Sequence, residues 1–178
     1  MLMLNSMLEN TPIISLRNGQ LLGETSDIII NPANLKIEVL RCNIINSKQE
    51  LFLLNQDIRD LSDNKVLIND YEVLSEASEL IRLKGLIDLD FKIVGKSVIT
   101  KNKQKLGKVR EFSVESIGFY IQKLYVNPPL YKNIYGNQLV VDRNQILEVT
   151  DSKIIVKDLL QPTKVNTAIV TGSVSSAV

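Results

Sequence analysis

The chain has 178 residues, enough for one compact domain or two small ones, and with 44% hydrophobic and 23% charged residues it can bury a core. Histidine is absent and Cys42 is the sole cysteine, which excludes imidazole acid–base chemistry, Cys/His zinc sites and an intramolecular disulfide. Net charge is +1 but unevenly spread: residues 1–84 carry 8 basic against 12 acidic side chains (−4), and residues 85–178 carry 13 against 8 (+5), an asymmetry that favours self-association as a homo-oligomer.

Residues 1–10 are apolar but lack a positive leading region and are broken by Asn5, Ser6 and Glu9, a poor match to a signal peptide. No uninterrupted apolar run approaches the roughly 20 residues that span a bilayer, so the expected location is the cytoplasm, with no transmembrane segment. Aromatics make up 5% of the chain, so the core is aliphatic and rich in β-branched residues, a composition that favours strands. Short strands separated by turn residues are read over residues 12–16, 21–30, 35–45, 50–54, 57–61 and 65–68. Asn31-Pro32-Ala33-Asn34 marks one of the turns.

Residues 71–84 change period. Val73, Leu74, Ala77, Leu80, Ile81 and Leu83 fall near helical spacing, opposite Glu72, Glu76 and Glu79, which predicts a short amphipathic helix capped by Gly85. Strands resume over 96–100, 106–114, 119–126, 138–142, 145–149 and 153–157. After Asp158 the periodicity is lost and a mobile tail over 159–178 is expected.

The two sets of strands repeat one another. Ile13-Ile14-Ser15 is echoed 85 residues later by Val98-Ile99-Thr100, and Leu22-Gly23, Ile37 and Leu40 are echoed 84 residues later by Leu106-Gly107, Ile121 and Leu124. Ile58, Leu61, Asp63, Lys65, Val66, Ile68 and Asp70 match Ile146, Val149, Asp151, Lys153, Ile154, Val156 and Asp158 at a spacing of 88, which puts an insertion between about 126 and 142. The organisation read is a first unit over 1–70, a helical linker over 71–90, a second unit over 91–158 and the tail.

The second unit opens with Val94-Gly95-Lys96-Ser97-Val98 and continues with Lys105-Leu106-Gly107-Lys108-Val109. It closes with residues 142–149 and 153–157. In this order the segments resemble the PRC-barrel family, named after the photosynthetic reaction centre H subunit and shared with ribosome maturation factors. The first unit resembles it more weakly, with Leu22-Gly23-Glu24-Thr25 at the turn-and-strand signature. The resemblance implies an all-β fold of two tandem small barrels, each of five to six antiparallel strands, joined by the short helix. It further implies a non-catalytic adapter that binds protein, or alternatively RNA or the ribosome as a maturation or assembly factor. It brings no catalytic, cofactor-binding or metal-binding residues, so no enzyme activity and no cofactor are expected.

Two segments stand out as contact candidates. Lys92, Lys96, Lys101, Lys103, Lys105, Lys108 and Arg110 surround the first hairpin of the second unit; Lys101, Lys103, Lys105, Lys108 and Arg110 are the candidates for an anionic partner. The inserted loop carries Leu130, Tyr131, Ile134 and Tyr135 behind Pro128-Pro129, and large apolar groups on a stiff loop are candidate anchors for a protein partner. Gly23 and Gly107 read as backbone requirements, Cys42 as a small buried hydrophobe, and Asp142, Glu148 and Asp151 as solvated charges.

Overall fold

A computed structural model describes residues 1–62, 64–129 and 138–158. The fold is all-β and contains two sheets. After β1 (Leu2–Leu4), the first half supplies β2 (Pro12–Ser15), β3 (Leu21–Asn31), β4 (Lys36–Ile44), β5 (Leu51–Leu54), β6 (Ile58–Ser62), β7 (Lys65–Ile68) and β8 (Leu74–Ser75). The second half supplies β9 (Ser97–Thr100), β10 (Lys105–Glu115), β11 (Ile121–Asn127), β12 (Leu139–Asp142), β13 (Ile146–Val149) and β14 (Lys153–Val156). The first sheet runs β6-β7-β2-β3-β4-β5-β8 and the second β13-β14-β9-β10-β11-β12. Strip β8 from the first, and the two orders are the same strands displaced by half the chain.

Two features depart from the antiparallel barrels expected. Each sheet contains one parallel pair, β2 with β7 and β9 with β14. And among the described residues neither sheet closes on itself: β6 and β8 end the first, β13 and β12 the second. A single 3-10 turn follows β5 (Asn55–Asp57) and another follows β12 (Arg143–Gln145). Each carries the chain away from its neighbour, so β6 and β13 join the far edge through the hairpins they make with β7 and β14.

The duplication extends to atoms. Ile13 and Val98, Ile37 and Ile121, Leu40 and Leu124, Cys42 and Val126, Val66 and Ile154, and Ile68 and Val156 are equivalent pairs, and every member is 0% exposed. Positive φ recurs at Asn10 and Gly95, at Gly19 and Lys103, and at Leu35 and Phe119. Arg17 binds Asp70 across the end of the first unit, and at the equivalent place Asn102 binds Asp158. The Arg17 hydrogen bond holds the Asp70 carboxyl below the usual carboxylate range.

The units meet where each residue faces its own counterpart. The Ile37 N–H donates to the Phe119 carbonyl at 2.9 Å and the Ile121 N–H to the Leu35 carbonyl at 2.9 Å, with Lys36 bridged antiparallel to Tyr120. Equivalent residues pairing reciprocally is what a twofold axis between two copies produces. Arg143 locks this contact: its guanidinium stacks 5.0 Å from the Tyr120 ring centroid and donates to the carbonyls of Asn34, Leu35 and Ile121. One hydrophobic cluster then runs through both units, from Ile13, Ile37 and Leu40 to Val98, Ile121 and Leu124.

The symmetry breaks at the chain start and at the connector. β1 pairs with β10 of the second unit, and the Asn5 side chain accepts a hydrogen bond from the Phe112 N–H at 2.9 Å. At Pro32 the first unit lacks a donor that the second unit uses to hold the chain start. Pro32 stands at the position equivalent to Ser116, whose N–H donates to the Met1 carbonyl at 3.0 Å, and proline has no N–H to give.

The connector differs from the helix predicted over 71–84. Asp70 accepts from the Tyr71 N–H and starts a 3-10 turn (Tyr71–Val73), β8 follows on the edge of β5, and the only α-helix among the described residues is α1 (Lys84–Leu89). Gly85 lies inside α1 and does not cap it; Asp90, at φ 44°, ends it. The apolar positions of the connector serve a sheet face: Leu80 and Ile87 pack on Ile29, Val39 and Phe52. Lys92 and Arg41 ion-pair with Asp27 and Asp90 and fasten the end of α1 to the first unit.

Candidate functional site

The β9–β10 hairpin is built to point its cations outward. The Thr100 N–H donates to the Gln104 carbonyl at 2.9 Å and Lys103 adopts φ 63°, which closes a tight turn carrying Lys101 and Lys103. A bulge between Lys105 and Gly107 resets the alternation of β10, burying Leu106 and Val109 and exposing Lys105, Lys108 and Arg110. Gly107 serves this geometry. A Cβ there would lie 1.9 Å from the Asn127 carbonyl oxygen, and at the equivalent Gly23 2.1 Å from that of Asn43. Both glycines answer a close backbone approach.

The structure re-sorts the basic residues. Lys101, Lys103, Lys105, Lys108 and Arg110 are all exposed, and among the described residues none makes an ion pair. Lys92 and Lys96 do not belong with them. Lys92 is held by Asp27 and Asp90, while Lys96 lies 4.4 Å from the Phe91 ring centroid and donates to the Asp151 carbonyl. One residue is gained. Lys153 on β14 sits opposite Ser97, and Ser97 sits opposite Lys108, so Lys153, Ser97 and Lys108 form one cross-strand row. Lys153 entered the sequence reading only as part of the repeat, because a parallel β14–β9 pairing leaves no local signal.

The first unit carries the same hairpin with different chemistry. Leu16, Leu21 and Glu24 stand where the second unit has Lys101, Lys105 and Lys108. Leu16 is 53% exposed, Leu21 52% and Ile45, whose N–H donates to the Leu22 carbonyl, 53%. A shallow groove of about 320 Å³ lies here, lined by Pro12, Leu21, Glu24, Ile44 and Ile45 among others. Exposed aliphatic groups on one hairpin and free lysines on its duplicate cannot both be demands of the fold. This divergence was legible in the 84- and 85-residue spacings, once the two hairpins are aligned position by position.

The other sequence candidates are placed as follows. Leu130, Tyr131, Ile134 and Tyr135 lie outside the described residues, as does the tail 159–178. Cys42 is buried at the position of Val126, and burial pushes its thiol up to about 12, so it stays protonated at neutral pH. We expect Cys42→Val to change the unfolding free energy from urea denaturation by less than about 1.5 kcal/mol. The wild-type thiol should react with a thiol reagent only as the chain unfolds; rapid labelling of the folded protein would contradict its placement. Asp142 caps the turn Arg143–Gln145: its backbone N–H donates to the Gln145 side-chain oxygen at 2.8 Å, and its carboxylate lies 3.7 Å from Lys123. Among the described residues no three His, Cys, Asp or Glu side chains gather into a metal-holding group. No described helix is long and apolar enough to cross a membrane.

No family model matches the chain, and no curated protein matches it either.

Proposed function

We propose that the chain is a non-catalytic adapter of the cytoplasm, built from two PRC-type β units that present chemically different faces to their partners. One observation carries this reading. A single hairpin is written twice, in units joined by reciprocal backbone bonds, and the positions that carry Lys101, Lys105 and Lys108 in one copy carry Leu16, Leu21 and Glu24 in the other, with exposed Ile45 beside them. Positions that the fold leaves free and that carry opposite chemistry suit two partners rather than one. The reciprocal contact and the shared core hold those two faces at a set distance, which is what joining two partners requires. The order of motifs in the second unit supports the PRC-type assignment. A second reading, association with RNA or the ribosome through the basic hairpin, is favoured by its lysines, which make no ion pair among the described residues.

The test is capture from lysate with Leu16→Ser/Leu21→Ser and with Lys101→Gln/Lys105→Gln/Lys108→Gln, each against wild type. All three substituted lysines and both leucines are exposed, so the variants should melt within about 2 °C of wild type. Each variant is expected to lose a different part of the captured set, by at least about tenfold in recovery. Identical captured sets from all three chains would sink the adapter reading.

A further inference from the structure

We propose that the lysine face of the second unit binds the phosphate backbone of a nucleic-acid double helix; this rests on reading that face as a contact surface. The face consists of Lys105, Lys108 and Lys153 with the turn lysines Lys101 and Lys103.

Four observations point to phosphate. The charge is not imposed by the fold, since the duplicate hairpin does without it. It is not spent internally either. Among the described residues these lysines make no ion pair: Asp158 takes the Asn102 amide, Glu111 takes the Ser6 hydroxyl at 2.7 Å, and Glu148 is an exposed acid at the far end of the row that runs through Ile155 and Ile99 to Lys105. Lysine dominates the patch, with Arg110 its one arginine, and lysine is depleted from protein-binding patches. Among the described residues the row continues through Ser97 and Asn127, which are small and polar, and the nearest ring on that face is Tyr125, two residues before Asn127 on β11. Lysine as a mobile point charge suits phosphate, where attraction needs no fixed bidentate geometry.

The form of the nucleic acid follows from the make-up of the Lys153–Ser97–Lys108–Asn127 row. Single strands are held by stacking bases on aromatic rings. A double helix keeps its bases inside and offers phosphates along a surface, which a ring-free cationic row can follow without reading sequence. Lys108 and Lys153 are separated by one intervening strand, so their Cα atoms stand roughly 10 Å apart, and the turn lysines extend the charge along the hairpin. Several phosphates are thus reached from one sheet face.

The test is fluorescence anisotropy of the full chain with an RNA duplex and a DNA duplex of about 20 base pairs, long enough to cover the face, and with the corresponding single strands, over a salt series. Either duplex should bind, with a log–log salt slope of about −3 to −4, set by the three to five lysines in reach. Lys105→Gln/Lys108→Gln/Lys153→Gln should weaken binding at low salt at least about tenfold and flatten the slope by about 3. Lys48→Gln/Lys84→Gln, exposed lysines of the first half, should leave both unchanged. Overlapping circular dichroism spectra and melting curves keep a folding defect out of the comparison.

The proposal is overturned by absence of duplex binding, by tighter binding of single strands, or by duplex binding that the triple variant leaves intact. It is equally overturned if acidic phospholipid vesicles bind in the lysine-dependent manner expected here while duplexes do not. Should duplexes fail while the lysine variant loses a nuclease-resistant protein partner, the phosphate assignment falls and the adapter reading stands. Loss of neither would remove both.

Discussion

Gly107→Ala is expected to destabilise the chain by about 3 kcal/mol or more, lowering the melting temperature by roughly 6–12 °C. Two costs combine. The added Cβ would sit 1.9 Å from the Asn127 carbonyl oxygen, a backbone atom that cannot swing aside without breaking the Lys108–Asn127 register of β10 and β11. Gly107 also has φ +149°, a conformation open to glycine and strained for alanine. Gly23→Ala meets the Asn43 carbonyl at 2.1 Å in the first unit and should cost a comparable amount. Gly85→Ala is the control. It lies in α1 with open space around its Cβ, and should be neutral or stabilising by up to about 1 kcal/mol. Thermal denaturation of the three variants decides the matter; a Gly107→Ala chain that melts with wild type would refute the close approach of β10 and β11.

Removing residues 1–8 should cost about 4 kcal/mol and make the chain aggregate. The lost segment buries Met3 (8% exposed) and Leu8 (0%), each worth roughly 1.5–3 kcal/mol. It also withdraws the Asn5 acceptor from the Phe112 N–H and uncovers the edge of β10 at Ser113, Val114 and Glu115. An uncovered edge is a template for pairing with another chain. The first unit does not face this hazard at the equivalent place, where Pro32 stands in line with Ser116. Urea denaturation and size-exclusion chromatography of the truncated chain are the readouts. A monodisperse product with an unchanged midpoint would show that β1 is dispensable.

Much of the architecture was open to reading because the same pattern is written twice. Apolar alternation placed the strands from β2 to β7 and β9 to β14 close to their observed limits, and spacings of 84, 85 and 88 matched pairs such as Ile37 and Ile121, Ile13 and Val98, and Val66 and Ile154, which are equally buried. Pairing direction was not open to reading. The period of two is the same for parallel and antiparallel neighbours, so nothing local said that β7 returns alongside β2. The connector misled for a related reason. Val73, Leu74, Leu80 and Leu83 have helical spacing, yet Leu74 pairs with Leu53 on a sheet edge while Leu80 covers Ile29, Val39 and Phe52. Apolar spacing records that residues are buried, and here sheet surfaces rather than a helix core do the burying.

The candidate site was half legible. Lys101, Lys103, Lys105, Lys108 and Arg110 are exposed, as a hairpin reading expects. Proximity in sequence wrongly grouped Lys92 and Lys96 with them, because both precede β9 and turn to Asp27, Asp90 and Phe91. Lys153 required the parallel pairing. The aliphatic face of the first unit required comparing the two hairpins with each other, since Leu16 and Leu21 taken alone look like ordinary surface residues.

The most direct measurement is photo-crosslinking in living cells from a benzoylphenylalanine placed at position 21 in one chain and at position 105 in another, equivalent points on the two hairpins. The account predicts adducts of different partners from the two positions, each lost when the other substitutions on its own face are made. The same adducts from both positions, or none from either, would contradict it.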